Sequence, residues 1–154
     1  MKFSKLIPKG AAIFFIVGLV AAGALGLYLS QIASQIPTLV YENGPSLTVI
    51  PDKINYHVGE PVHIRIINSG TIPLSFSDAS YGLKITRLDG ILVYSPTSAQ
   101  VISKLEPKEE KTFVWDQTKN DGTKTYQGRY KIISSTFEEN GNSLKKFVTI
   151  NLLK

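Results

Sequence analysis

From Gly10 to Leu29 the chain runs through 20 positions without a charge, GAAIFFIVGLVAAGALGLYL. A helix of that length is about 30 Å long, the hydrocarbon thickness of a bilayer. An apolar rod of this size needs lipid or protein around it, so it limits the fold more than any other feature. Lys2, Lys5 and Lys9 precede it, and no Lys or Arg follows until Lys53. By the positive-inside rule the N-terminus is expected in the cytoplasm and everything after Gln31 beyond the membrane, with Tyr28 near the far interface. The expected layout is a basic cytoplasmic start at 1–9, a transmembrane signal-anchor helix at 10–32, a juxtamembrane linker at 33–46 and an extracytoplasmic domain at 47–154.

Two other readings of the same segment stay open. Ala22-Gly23-Ala24 offers small residues suited to secretory cleavage, although the cut would fall inside the apolar run. Lys9-Gly10 before Ala11 resembles an archaeal prepilin processing pattern, which implies cleavage after Gly10 and an apolar helix packed in a filament core. Gly18, Ala22 and Gly26 share one helix face, a row that permits close helix approach but is common in membrane helices without association.

The segments after the membrane run have a different period. Val62-His63-Ile64-Arg65-Ile66 alternates apolar and polar residues, as a half-buried strand does. Leu74–Ser77 and Leu83–Thr86 alternate too. Leu47–Ile50, Ile91–Tyr94, Val101–Leu105, Thr112–Trp115, Tyr130–Ile133 and Phe147–Ile150 are further strand candidates. Turn residues separate them: Pro51-Asp52, Asn68-Ser69-Gly70, Asp89-Gly90, Glu106-Pro107 and Asn140-Gly141-Asn142. No stretch after Ile36 keeps a helical period. The expected fold is all-β, an antiparallel β-sandwich.

From Val58 to Thr136 the order of signals resembles the BsuPI-like family, named for an intracellular proteinase inhibitor. The matching elements are Val58-Gly59-Glu60-Pro61-Val62, Ile67-Asn68-Ser69-Gly70, Tyr81-Gly82-Leu83-Lys84-Ile85 and Leu105-Glu106-Pro107-Lys108-Glu109-Glu110. The most specific piece is Trp115-Asp116-Gln117, a polar loop with Gly122, and Gln127-Gly128-Arg129-Tyr130. The resemblance implies an immunoglobulin-like β-sandwich and, by its name, proteinase inhibition. Lys108 stands where the family usually turns on Gly, and the founding member has no membrane anchor.

Composition narrows the chemistry. With no Cys in the chain, disulfides, thiolate metal sites and thiol catalysis are excluded. The net charge is +5, but from Pro37 onward 14 Lys and Arg face 12 Asp and Glu. These charges are interspersed along the chain, so nucleic acid is not an expected partner. His57 and His63 are the only histidines; Glu60 is the obvious third ligand, and two histidines of unproven proximity make no metal site. No serine lies in a nucleophile elbow. Glu109-Glu110 and Glu138-Glu139 are adjacent pairs that a strand points to opposite faces, so neither forms an acid–base dyad. No enzyme activity, cofactor or metal is expected.

Trp115 is expected as a core anchor, Asp116 as the cap of its own loop, and Gly128 as a tight entry into a strand. The functional expectation is a membrane-anchored interaction module, an accessory or structural subunit of a membrane or envelope assembly. Its protein partner would meet the loops at 116–124 and 95–100. The alternatives are a pilin-like filament subunit and a proteinase inhibitor.

Overall fold

The computed structural model describes residues 21–27, 37–137 and 143–154. The chain divides into two units, Met1–Gln35 and Ile36–Lys154. In the first, residues 21–27 are helical; the remainder of the expected membrane helix at 10–32 lies outside the described residues. Among the described residues no helix is long and apolar enough to cross a membrane. The turn at Asn140-Gly141-Asn142 and the pair Glu138-Glu139 also lie outside them.

The second unit is all-β. Its strands are β1 (Leu47–Pro51), β2 (Asn55–His57), β3 (Val62–Asn68), β4 (Leu74–Phe76) and β5 (Lys84–Arg87), followed by β6 (Leu92–Tyr94), β7 (Ser103–Leu105), β8 (Glu110–Trp115), β9 (Gly128–Ser135) and β10 (Lys145–Leu153). They form a three-stranded sheet β1-β3-β8, a five-stranded sheet β2-β10-β9-β5-β6 and a small pair β4-β7. Every pairing is antiparallel except β2 with β10.

The period-two pattern explains which side chains are inside. In β3, Val62, Ile64 and Ile66 are buried while His63 and Arg65 are exposed. In β9, Tyr130, Ile132 and Ser134 are buried, and in β10 Val148, Ile150 and Leu152 are. Apart from Ser134, whose hydroxyl donates to the Tyr81 carbonyl at 2.7 Å, these side chains join Leu47, Val49, Tyr56, Phe76, Ile85, Leu105 and Trp115 in one core fed by all three sheets. Burying a side chain of this kind stabilises by roughly 1.5–3 kcal/mol, and with no disulfide this core is the main source of stability.

The strand missing from the sequence expectation is β2. Asn55-Tyr56-His57 carries one apolar residue, too few for a period to show. Tyr56 inserts fully into the core, its hydroxyl donating to Asp52 and accepting from the Lys53 amide at 3.0 Å. Burial is the largest influence raising the Tyr56 pKa, and the Asp52 hydrogen bond adds to it. The expected strand at Val101–Leu105 is confined to Ser103–Leu105, paired with Leu74–Phe76.

Two ends follow from this topology. The chain enters beside the 68–72 turn, where Glu42 N–H donates to the Ser69 carbonyl at 2.9 Å and Thr71 N–H to the Gly44 carbonyl at 2.9 Å. At the opposite end lie the β5–β6 hairpin, the β8–β9 loop, the 57–60 turn and the end of β10, because Val62 pairs with Trp115 and Leu152 with Gly128.

Candidate functional site

The end away from the chain entry is built on Trp115 and the loop after it. Trp115 is almost completely buried, stacked on Tyr94 at 6.2 Å and edge-on to Tyr130 at 5.9 Å. Its indole N–H donates to the Thr118 carbonyl at 2.9 Å, so the core anchor also fixes the first turn of the loop. Asp116 accepts from the Thr118 amide at 3.0 Å and the Thr118 hydroxyl at 2.8 Å. Asp121 accepts from the Thr123 amide at 2.9 Å and its hydroxyl at 2.6 Å. These Asx turns give the backbone amides partners without a ladder. The same hydrogen bonds hold both carboxyls below their usual range, with Lys124 adding to the effect at Asp116 and Lys119 at Asp121.

Gln117 is the second fastening. It is fully buried and sits at φ 61°, a left-handed conformation unusual outside glycine. Its amide donates to the carbonyls of His57 (2.8 Å) and Glu60 (2.7 Å) and accepts from the Gly59 amide at 2.8 Å. Its own carbonyl accepts from the Thr125 amide and hydroxyl, each at 2.9 Å. One residue therefore ties the 57–60 turn, through its side chain, and Thr125, through its backbone carbonyl, to the start of the 116–125 loop. The resemblance singled out Gln117 by position only; that it is a peg follows from contacts 57 to 60 residues away in sequence.

On this scaffold lies an open cleft of about 710 Å³ lined by Arg87, Leu88, Asp89, Val93, Lys119 and Tyr126 to Tyr130. Tyr130, near the start of β9, donates its hydroxyl to the Tyr126 carbonyl at 2.9 Å, and Tyr126 projects with 74% of its surface exposed. The Lys119 ammonium lies 5.0 Å from the Tyr126 ring centroid, a cation–π geometry. Arg87 pairs with Asp89 at 3.3 Å. Arg129 has no ion-pair partner among the described residues. The wall thus carries three cations and one carboxylate.

The residues named from sequence distribute as follows. The loop at 116–124 lines the cleft through Lys119 and is held to the β6 end, where Asn120 N–H donates to the Val93 carbonyl and the Asn120 side-chain oxygen accepts from Ser95 N–H, both at 3.0 Å. The 95–100 loop then leaves: the Ala99 carbonyl accepts from Ala79 N–H at 3.1 Å. Arg129 stands in the Gln127–Tyr130 piece of the resemblance, but the cleft's Arg87 and Tyr126 had no sequence signal beyond strand ends, since four separated segments meet there. Asp116 caps its loop as expected. Gly128, at φ 152°, opens β9.

His57 and His63 lie in different sheets, on β2 and β3. Glu60 pairs with Lys53 and accepts from His57 N–H at 3.0 Å. Among the described residues no three His, Cys, Asp or Glu side chains are grouped to hold a metal. Glu109 goes to Lys111 at 2.8 Å and Glu110 to Arg65 at 3.3 Å, so the adjacent pair is divided between two cations. Scanned against models of known protein families, the chain matches none, and no well-characterised protein is similar enough to count as a match.

Proposed function

We propose that this chain is a membrane-anchored, extracytoplasmic interaction module that holds an acidic segment of a protein partner in the cleft at Arg87, Lys119, Tyr126 and Arg129, as an accessory subunit of a membrane or envelope assembly. The observation that carries the reading is the pairing of a stiff support with uncommitted side chains. Gln117, Asp116 and Asp121 satisfy the loop's backbone, while Tyr126 projects from it and Arg129 from the start of β9, both exposed. Exposed Tyr and Arg on a rigid frame are the residues that dominate protein interfaces, because little rotamer entropy is lost on binding. The cleft is at the end of the domain opposite the 68–72 turn, against which Glu42 and Gly44 pack.

The anchor rests on the uncharged run from Gly10 to Leu29 and its lysine-rich flank. The domain is proposed to be an immunoglobulin-like sandwich of the BsuPI-like kind. Three features support this. The sheet orders β1-β3-β8 and β2-β10-β9-β5-β6 suit the two layers of that fold. The Tyr130 hydroxyl reaches back to the Tyr126 carbonyl at the β8–β9 corner, as in a tyrosine corner. Lys108 takes φ 67° at the position the family gives to Gly. The lone Trp departs from the immunoglobulin pattern, lying on β8 rather than on the strand before the middle of the domain. The reading involves no catalysis, cofactor or nucleic acid.

The test is crosslinking from a photoreactive residue at Tyr126 in intact cells, followed by gentle solubilisation. A discrete adduct that disappears in Arg87→Glu and Arg129→Glu, with Trp115 fluorescence unchanged, is the expected result. Recovery of the chain alone under all conditions would overturn the proposal.

A further inference from the structure

Along the sequence the domain's charges of both signs are interspersed; in the fold, the strands of the five-stranded sheet gather cations on one face. The outward positions of the five-stranded sheet are every second residue of its strands: Lys84 and the buried Thr86 on β5, Arg129, Lys131 and Ile133 on β9, and Lys145, Phe147 and Thr149 on β10. The register sets them in rows. Lys145 lies beside Ser135; the next row is Phe147, Ile133 and Lys84; then come Thr149, Lys131 and Thr86, and then Asn151 and Arg129. Successive rows are about 7 Å apart, so the cations span about 20 Å of sheet.

These strands place three lysines and no carboxylate on the face, with Arg129 at its cleft end. None of the four has an ion-pair partner among the described residues, and Asp78, which feels the charge of Lys84, belongs to the loop before β5. Two large apolar side chains stand among them, Phe147 at 61% exposed and Leu92, opposite Thr86, at 49%. The Lys131 ammonium lies 5.5 Å from the Phe147 ring centroid. The outward face of β1-β3-β8 differs, because there Arg65 is neutralised by Glu110.

We propose that the five-stranded sheet rests this face on a lipid surface bearing anionic headgroups, giving the domain a second, electrostatic attachment to the membrane that its N-terminal run enters. The proposal rests on the anchor reading above, and charge complementarity selects the occupant. Lysines spaced over a flat face reach headgroup phosphates through flexible stems while an aromatic and a leucine enter the interface. An acidic protein surface would match the charge, but the uncharged 20-residue run brings lipid to every copy of the chain.

The experiment uses the full chain in nanodiscs of phosphatidylcholine alone or with phosphatidylglycerol, treated with a water-soluble lysine acylating reagent and read by mass spectrometry. In anionic discs Lys84, Lys131 and Lys145 should be acylated at least threefold more slowly than in neutral discs, and the difference should vanish in high salt. Lys119 and Lys124, at the cleft end, should not change. In a Lys84→Glu, Lys131→Glu variant with unchanged Trp115 fluorescence, Lys145 should lose its protection. Equal acylation in both discs overturns the proposal even though the chain is incorporated, as does protection that appears only when native membrane proteins are added, which would assign the face to an acidic protein. Failure to enter either disc refutes the anchor itself, a separate result.

Discussion

The two ends of the domain are fastened by the same device and finished differently. At the entry end Asn68, fully buried, donates to the carbonyls of Ile72 and Leu105, each at 2.8 Å, and accepts from the Gly70 amide at 2.9 Å. At the cleft end Gln117 makes the same three kinds of bond to His57, Glu60 and Gly59. Each primary amide thus stands in for a missing stretch of ladder, satisfying three backbone groups that no strand reaches. Around Asn68, however, backbone packs on backbone, whereas around Gln117 the loop leaves an open cleft edged with cations. An identical peg serves closure at one end and presentation at the other.

The largest expected effect tests whether the pegs are equal. Asn68→Ala and Gln117→Ala should each destabilise by about 4 kcal/mol, since three buried backbone groups lose partners at roughly 1–3 kcal/mol each, less than additively. Urea unfolding followed by the single Trp reads both. A loss under 1 kcal/mol for Gln117→Ala alone would mean that water replaces the amide at the cleft end and that the ends are not alike.

Glycine separates the ends next. A Cβ on Gly70 would run into the Gly44 carbonyl oxygen and the Ser46 amide, both backbone, so Gly70→Ala should cost about 3 kcal/mol. Gly122, in the cleft-end loop at φ 81°, has open space around it; Gly122→Ala should cost about 1 kcal/mol, the left-handed backbone penalty alone. Equal losses would show that the entry end is not closed by backbone contact.

Much of the fold was legible because alternation writes burial directly: the pattern of Val62 to Ile66 names its inward residues before any coordinates exist. β2 was not, since three residues with one apolar side chain carry no period and are held by a parallel partner almost a hundred positions later, Tyr56 against Leu152. The roles of Trp115 and Asp116 were legible because they are local, closed within three residues. The cleft and the basic face were hidden for the opposite reason. Interspersed charge reads as neutral only if neighbours in sequence stay neighbours on the surface, and strands put alternate residues on opposite faces.

Acid should loosen the cleft-end loop in a defined direction. The Asp116 and Asp121 carboxyls are depressed by hydrogen bonds from Thr118 and Thr123. A depressed carboxyl adds stability that is complete above the ordinary Asp value of about 4 and is lost as pH falls through the lower folded value. The protection factors of the Thr118 and Thr123 amides, which correct for the ordinary slowing of exchange in acid, should therefore fall on acidification ahead of that of the Gly70 amide, whose acceptor is the uncharged Asn68 side chain. Asp116→Asn and Asp121→Asn should flatten that response. A simultaneous fall in protection at Gly70 would mean the ends open as one unit.

The smallest effect gives the sharpest contrast, because Lys108 and Gln117 share a backbone conformation at opposite ends. Lys108 has φ 67° and Gln117 φ 61°, a left-handed geometry that costs a non-glycine residue about 1–2 kcal/mol. Lys108→Gly removes that cost but gives back about 0.5–1 kcal/mol of unfolded-chain entropy. It also loses the Lys108 ammonium 6.0 Å from the Tyr41 ring, about 0.5 kcal/mol at an exposed site. The terms nearly cancel, so stability should change by no more than about 0.5 kcal/mol. Gln117→Gly relieves the same backbone but removes the peg, and should lose nearly what Gln117→Ala does. If the two glycine variants behave alike, the side chain of Gln117 is dispensable and the cleft loop is held by its Asx turns alone.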